Sequence, residues 1–176
     1  MTNSVFINGT IVHLFNTQHN GCAIVTVDVG HRSFPKVILF KALAQTVLQN
    51  YQVGSPISLE GFLVSSVTEK GKTQSIFGRE LHPAEIDNPR SDFYLQGTVL
   101  SRRDLPGFSL LQMLVNDDGH LAYIPVSARY DDFDETITRG SNVRVSGYVR
   151  TRVDRTEETP QYFQNYFATD IKEVAA

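Results

Sequence analysis

Two stretches of this sequence occur twice, at nearly the same separation. FINGTIV at residues 6–12 recurs as YLQGTVL at residues 94–100, an offset of 88 (94 minus 6). GSPISLEGF at residues 54–62 recurs as GSNVRVSGY at residues 140–148, an offset of 86 (140 minus 54). Because two separate matches share almost one offset, they indicate duplication of a whole domain, and this period is too long for a solenoid repeat.

The length and composition fit two small soluble domains. The chain has 176 residues, 41% of them hydrophobic and 20% charged, so each half has enough apolar surface to fold without disulfides. A polar segment with two prolines at residues 82–91 predicts a linker between domains 1–81 and 92–176. The lone Cys22, the absence of an apolar run of about 18 residues and an N-terminus unlike a signal peptide predict a cytoplasmic protein without membrane contact.

Each unit has the pattern of three strands, one helix and two further strands. The helix prediction for residues 41–52 depends on an apolar stripe at three- and four-residue steps, closed by Gly54. A second helix is predicted at residues 131–139, because acidic residues at its start and Arg139 at its end match the helix dipole. The predicted strands are residues 6–15, 22–29, 33–40, 57–67 and 73–81 in the first unit, and 93–102, 109–115, 121–128, 143–153 and 162–171 in the second.

This order predicts an all-β fold of two tandem OB-fold barrels. Each would be a five-stranded Greek-key barrel with one helix between strands three and four. Gly9 and Gly97 fall within the first strand of their units, where a strongly bent strand that serves both sheets of such a barrel would need glycine.

The two units also resemble the bacterial single-stranded DNA-binding protein family. In the first unit the resemblance lies in FKALAQ at residues 40–45, Tyr51, Gly54 and ISLEG at residues 57–61. In the second it lies in VRVSGYVRTR at residues 143–152 and in the strand from Tyr162 to Ile171. Primosomal replication protein N, a relative of that family, is an equally good match.

The resemblance implies a function and an assembly. We expect sequence-nonspecific binding of single-stranded DNA, or of RNA, in replication, recombination or repair, with proteins of those processes as partners. The family normally has one barrel per chain and forms tetramers, so a chain with two barrels would reach four as a homodimer. A bacterial nucleoid-associated or phage-encoded protein fits this setting. The alternative is an OB-fold assembly module with little direct DNA binding, which the net charge of −3 and the absence of tryptophan favour.

Single-strand binding needs cations for the phosphates and aromatic rings for the unpaired bases, and the second unit offers both. On the fourth strand Tyr148, Arg150 and Arg152 share one face by alternation, Arg155 follows in the hairpin, and the fifth strand adds two rings. We expect contacts from Tyr148, Arg150, Arg152, Arg155, Tyr162 and Tyr166. Arg102 and Arg103, beside the first loop, are further candidates, unless Asp104 neutralises them.

The first unit has a weaker set of candidates and could instead be the oligomerising half. Its rings are Phe34 and Phe40, which share strand parity, and its cations are Lys36, Lys70 and Lys72. At least one of the two rings is expected in the core, and lysines in turns are common for reasons of solvation alone.

Catalysis, cofactors and metals are not expected. The sequence contains no Walker loop, nucleophile elbow or HExxH helix. His19 and Cys22 are close together but lack a second pair of ligands for zinc, and the acidic residues near position 131 are typical of a helix start. The net charge is +1 over residues 1–91 (7 basic, 6 acidic) and −4 over residues 92–176 (9 basic, 13 acidic), so any nucleic-acid site must be a local basic surface.

Overall fold

The computed structural model describes residues 2–17, 21–69, 71–85, 87–132, 134–156 and 161–174. These residues form ten strands and one α-helix. The first unit contains β1 (Asn3–Asn16), β2 (Cys22–Asp28), β3 (Lys36–Phe40), α1 (Lys41–Asn50), β4 (Pro56–Thr68) and β5 (Gly71–His82). The second contains β6 (Arg90–Leu105), β7 (Phe108–Asp117), β8 (His120–Arg129), β9 (Asn142–Asp154) and β10 (Gln161–Glu173).

Strand pairing closes each unit into a five-stranded barrel. The first ring runs β2-β3-β5-β4-β1 and closes through the pairing of β1 with β2. The second runs β6-β7-β8-β10-β9 and closes through the pairing of β6 with β9. In both rings the third and fifth strands are parallel and the other pairings are antiparallel. The predicted class of two tandem five-stranded OB-fold barrels is therefore confirmed.

The duplication extends to a backbone clamp that precedes the fourth strand of each barrel. In the first barrel, the Gly54 N–H donates to the Ile11 carbonyl at 2.8 Å, and the Ile11 N–H donates to the Ser55 carbonyl at 2.9 Å. In the second, Gly140, Val99 and Ser141 make the same two bonds at 2.8 and 2.9 Å. Gly54 and Gly140 have φ angles of +91° and +94°, a left-handed conformation that glycine adopts without steric cost.

At Gly9 and Gly97 the first strand of each barrel lies very close to the backbone of a neighbouring strand. A Cβ atom at Gly9 would clash with the Asp28 carbonyl on β2, and one at Gly97 would clash with the Leu114 carbonyl on β7. Glycine is needed at both positions because any larger side chain would collide with the neighbouring strand.

The barrels are joined edge to edge by their first strands. Residues Asn3–Asn8 of β1 pair antiparallel with β6, so that one ten-stranded sheet runs through both rings. The buried Asn8 amide fixes the connection between the barrels, because its Nδ2 donates to the carbonyls of Glu85 and Asn88 at 2.8 and 2.7 Å. The two barrels therefore form one continuous structure.

The first helix forms as predicted and lies against its barrel. Ala44 and Val47 are buried, and Leu43, Leu48 and Tyr51 pack against the same core. Among the described residues, no helix is long and apolar enough to cross a membrane.

The predicted helix at residues 131–139 is wrong. In its place the chain makes a 3-10 turn at Tyr130–Asp132, and the described residues that follow form turns up to Gly140. The Asp134 carboxylate accepts a hydrogen bond from the Thr136 N–H at 2.9 Å, a local bond that competes with helical pairing. The acidic residues that suggested a helix start therefore lie in turns. Ile137, from the same segment, is fully buried in the core of the second barrel.

Candidate nucleic-acid interface

A second contact between the barrels positions the candidate site. The turn before β3 is built on left-handed His31 and Arg32, with φ angles of 52° and 58°, and it lies against β9. The Ser33 hydroxyl donates to the Val149 carbonyl at 3.2 Å and accepts from the Thr151 N–H at 3.1 Å. The outer ends of β9 and β10 are thereby held against the side of the first barrel.

The same contact continues toward the tip of the β9–β10 hairpin. The Phe34 N–H donates to the Thr151 hydroxyl at 3.0 Å, and the Lys36 N–H donates to the Gln164 side-chain carbonyl at 2.9 Å. The Lys36 ammonium lies 4.9 Å from the ring centre of Tyr162. A residue of β3 and a residue of β10 therefore place a cation and a ring together, as a cation–π pair.

Two adjoining cavities form a groove between the barrels, which we call the inter-barrel groove. Their volumes are about 590 and 620 Å³, and they share Ile24, Phe34, Lys36 and Tyr162 in their walls. The first extends along Lys72–Ser75 on β5 and toward Phe163, and the second extends to His13, Phe15 and Arg155. The groove is thus lined by both barrels.

The lining of this groove differs in charge from the protein as a whole. Lys36, Lys72 and Arg155 line it, and the described lining residues include no aspartate or glutamate. The chain carries a net charge of −3, so the groove is a local basic surface on an acidic protein. An anion that enters it meets these three cations, and none of the described lining residues opposes them with a carboxylate.

Exposed rings accompany these cations. Tyr162 is 51% exposed, Phe163 47% and Phe15 61%, and Phe34 is half-buried in the floor. Lys72 lies 4.0 Å from the ring centre of Tyr123. Rings that are open to solvent and close to cations can stack unpaired bases while the cations neutralise phosphates.

Five of the residues proposed from the sequence line the groove together. Phe34, Lys36 and Lys72 come from the first barrel, and Arg155 and Tyr162 from the second. The sequence pattern did not reveal that the two sets meet, nor did it select Phe15 and Phe163. No local pattern marks these two rings, because neither is flanked by buried residues.

Tyr148, Arg150 and Arg152 lie on the outer face of β9. All three are exposed, and the intervening Val149 and Thr151 are buried, as strand alternation requires. Tyr148 stacks on Phe167 of β10 with ring centres 5.6 Å apart and planes at 18°. Tyr148 and Arg150 also border a separate cleft of about 450 Å³.

Tyr166 does not belong to the candidate site. Its side chain is buried in the second barrel with 1% exposure, edge-on to Phe93 at 6.0 Å between ring centres. Burial raises the pKa of its hydroxyl, and that hydroxyl has no hydrogen-bond partner among the described residues. Tyr162 and Tyr166 share one face of β10, but that face enters the barrel core at Tyr166.

Arg102 is also not available for phosphate binding. Its side chain is only 15% exposed and is paired with Asp104 at 2.8 Å. Its guanidinium also donates to the carbonyls of Glu135 and Ile137 at 3.1 and 2.9 Å. Hydrogen bonds from Ser109 and Arg102 hold the pKa of the Asp104 carboxyl below its usual value. Arg102 therefore anchors the connection that replaces the predicted helix.

Three further candidates lie outside the groove or outside the described residues. Arg103 is exposed on β6 and does not line the groove in the described part of the chain. Phe40 is partly exposed at the end of β3 and packs edge-on against Phe77, with ring centres 5.0 Å apart. Lys70 lies outside the described residues.

The two closed five-stranded barrels define a tandem OB-fold protein. In particular, the structure is similar to the wild-type single-stranded DNA binding protein from Thermus aquaticus, with a TM-score of 0.74, 19% identity, and coverage of 99% of this chain and 93% of that one. A deletion mutant of the Thermus protein gives a TM-score of 0.73 and 19% identity, with coverage of 99% and 95%. No protein-family model and no curated protein matches the chain. The resemblance expected from the sequence is confirmed for the fold over both barrels.

Proposed function

We propose that this protein binds single-stranded DNA, without sequence preference, along the inter-barrel groove. Lys36, Lys72 and Arg155 neutralise phosphates, and bases stack on Tyr162, Phe163 and Phe34. Binding is passive: no bond in the DNA is made or broken, and affinity comes from counterion release and stacking.

The composition of the groove carries this proposal. Three cations and several open rings from two barrels line one continuous groove whose described walls contain no carboxylate. A base-paired duplex hides its bases and cannot use the rings, so the combination favours a single strand. The Thermus protein, named for single-stranded DNA binding, has the same tandem-barrel fold and supports this reading.

The outer face of the β9–β10 hairpin extends the proposed path. Arg150 and Arg152 lie in register with Asn165 and Phe163 of β10, so the strand would pass from the groove over the hairpin onto these two arginines. The proposal also includes a homodimer with four barrels and a role in replication, recombination or repair with proteins of those processes.

The test is a fluorescence anisotropy titration of the full chain with labelled oligo-dT. Each neutralised phosphate on a single strand contributes about 0.7 to the slope of log affinity against log salt. For the three groove cations together with Arg150 and Arg152 we expect a slope of about −3.5 between roughly 50 and 200 mM salt, and weaker binding of duplex DNA of equal length. Replacing Lys36→Glu together with Arg155→Glu should reduce that slope by at least about 1.4.

A matched control separates the groove from overall charge. Arg139→Glu with Arg144→Glu changes the net charge equally at two exposed arginines outside the groove lining. This control should bind almost as the wild type does. If the two double variants lose affinity equally, or if the wild type does not bind oligo-dT, the proposed function is wrong and the assembly-module alternative is favoured.

A further inference from the structure

Three metal-ligating side chains meet on the outside of the first barrel, away from the groove. Glu60 on β4 is directly opposite Glu80 on β5, and His82 follows two residues later on β5. Strand alternation therefore places Glu80 and His82 on one side of the sheet. One ligand atom from each of the three residues lies within 4.8 Å of the others. From this arrangement we propose that Glu60, Glu80 and His82 form a binding site for a divalent transition metal ion, with Zn²⁺ as the best chemical match.

The fold holds two of the three ligands in place. Glu60 Oε2 is 3.1 Å from His82 Nε2, and the Ser4 hydroxyl lies 3.4 Å from Glu60 Oε1. The Phe6 ring packs beside the imidazole, with 6.0 Å between ring centres. Neighbours that orient ligands in this manner serve as the outer shell of protein metal sites.

The two carboxylates of Glu60 and Glu80 lie opposite each other on β4 and β5, so a cation between them would reduce their repulsion. Like charges directly opposite each other on neighbouring strands repel and destabilise the pairing. Glu60 contacts the His82 imidazole at 3.1 Å, and among the described residues Glu80 has no ion-pair partner. The register shifts at Glu60 and Gly61, and an irregularity of this kind re-aims side chains. A bound divalent ion would offset the repulsion and join β4 to β5.

The ligand set selects the class of ion. One imidazole nitrogen with two carboxylate oxygens suits Zn²⁺ and neighbouring transition metals, whereas Ca²⁺ prefers about six to eight oxygen ligands. Zinc ligands lie about 2 Å from the ion, so the three atoms must approach one another more closely on binding. Glu80 is exposed and free of ion pairs among the described residues, so its side chain can close the site.

This site is separate from the proposed DNA interface. Glu80 is five residues beyond Ser75, the last groove residue on β5, which is about 17 Å along an extended strand. Failure of the metal proposal would therefore leave the DNA proposal unaffected, and the reverse also holds.

The experiment is calorimetric titration of the chelator-stripped full chain with ZnCl₂, followed by Co²⁺ absorption spectroscopy. We expect one equivalent to bind, with Co²⁺ bands typical of nitrogen and oxygen ligands in low coordination. His82→Gln and Glu80→Gln should each weaken binding by more than tenfold, since loss of even an outer-shell partner typically costs about 10- to 100-fold. His120→Gln, at an exposed histidine on β8, is the control and should bind Zn²⁺ unchanged.

Melting temperatures without metal show that the variants are folded. Without Zn²⁺, Glu80→Gln should melt at or above the wild-type temperature, because it removes the repulsion from Glu60, and His82→Gln should still unfold in one cooperative transition. Only the wild type and the control should gain stability when Zn²⁺ is added. Absence of binding heat in the wild type, or an unchanged affinity in His82→Gln, would overturn the proposed site. Oligo-dT affinity should be equal for His82→Gln and the wild type.

Discussion

The two barrels share one topology and differ in what they contribute to the groove. The first has a full helix after its third strand and supplies the floor, with Phe34 half-buried and Lys36 and Lys72 at its edge. The second has a 3-10 turn in place of the helix and supplies a long hairpin that carries Tyr162 and Arg155. The first barrel forms the floor of the groove, and the β9–β10 hairpin of the second barrel forms its other wall.

This difference shows that the candidate function belongs to the pair of barrels. The hairpin reaches the groove because Ser33, Phe34 and Lys36 hold β9 and β10 through four hydrogen bonds in this region. Either barrel alone would have only part of the rings and part of the cations. The following changes test that division of roles, from the largest expected effect to the smallest.

Loss of the Tyr162 ring should have the largest effect of a single substitution. Tyr162→Ala removes an exposed ring shared by both cavities of the groove, and a stacked base is worth about 1–3 kcal/mol. Oligo-dT affinity should fall roughly 5- to 150-fold, whereas Tyr162→Phe should retain most of it. Anisotropy titration measures both, and equal affinity of the alanine and phenylalanine variants would remove Tyr162 from the site.

Reversing the charge of the two arginines on the outer face of β9 should weaken DNA binding less than reversing the charges of Lys36 and Arg155 in the groove. Arg150→Glu with Arg152→Glu should weaken oligo-dT binding by about tenfold and lower the salt slope by at least about one. The comparison is with Lys36→Glu plus Arg155→Glu under the same conditions. If the outer-face variant loses more affinity than the groove variant, the strand follows the hairpin and not the groove.

The weakest of the three effects concerns a polar link between the barrels at Asp117 on β7. Burial alone would raise the pKa of this carboxyl, but hydrogen bonds from Thr2 and Arg79 lower the pKa below its usual value. Asp117 Oδ2 is 3.5 Å from the Arg79 guanidinium of the first barrel. Because the folded state favours the charged form, this stabilisation is present above about pH 4 and is lost as the pH falls through the lowered pKa.

Asp117→Asn should therefore lower the free energy of unfolding by no more than about 1 kcal/mol at neutral pH. Urea titrations at neutral pH and near pH 3 measure the difference between variant and wild type. That difference should shrink at the lower pH, and a difference that is the same at both values would show that the charge of Asp117 has no part in the link.

The local features of the fold could be predicted from the sequence because they depend on short-range patterns. The alternation on β9 and the apolar stripe of α1 each depend on a few neighbouring residues. The second helix was predicted wrongly because acidic residues serve equally well in Asx turns such as the one at Asp134.

The candidate site could be predicted only in part. Alternation places Tyr162 and Tyr166 on the same face of β10, but it does not show where that face leaves the barrel core. The meeting of Phe34 with Tyr162 depends on the pairing of β1 with β6 and on the Ser33 contacts, which join residues more than 80 positions apart. The cluster of Glu60, Glu80 and His82 likewise spans two strands and has no local signature.

Photo-crosslinking with iodouracil-substituted single-stranded DNA, mapped by mass spectrometry on the full chain, tests the central claim most directly. The DNA should crosslink to rings of both barrels in one groove, at Phe34 or Phe15 on one side and at Tyr162 or Phe163 on the other. Crosslinks confined to exposed rings elsewhere, such as Phe108 and Tyr130 of the second barrel, would contradict it.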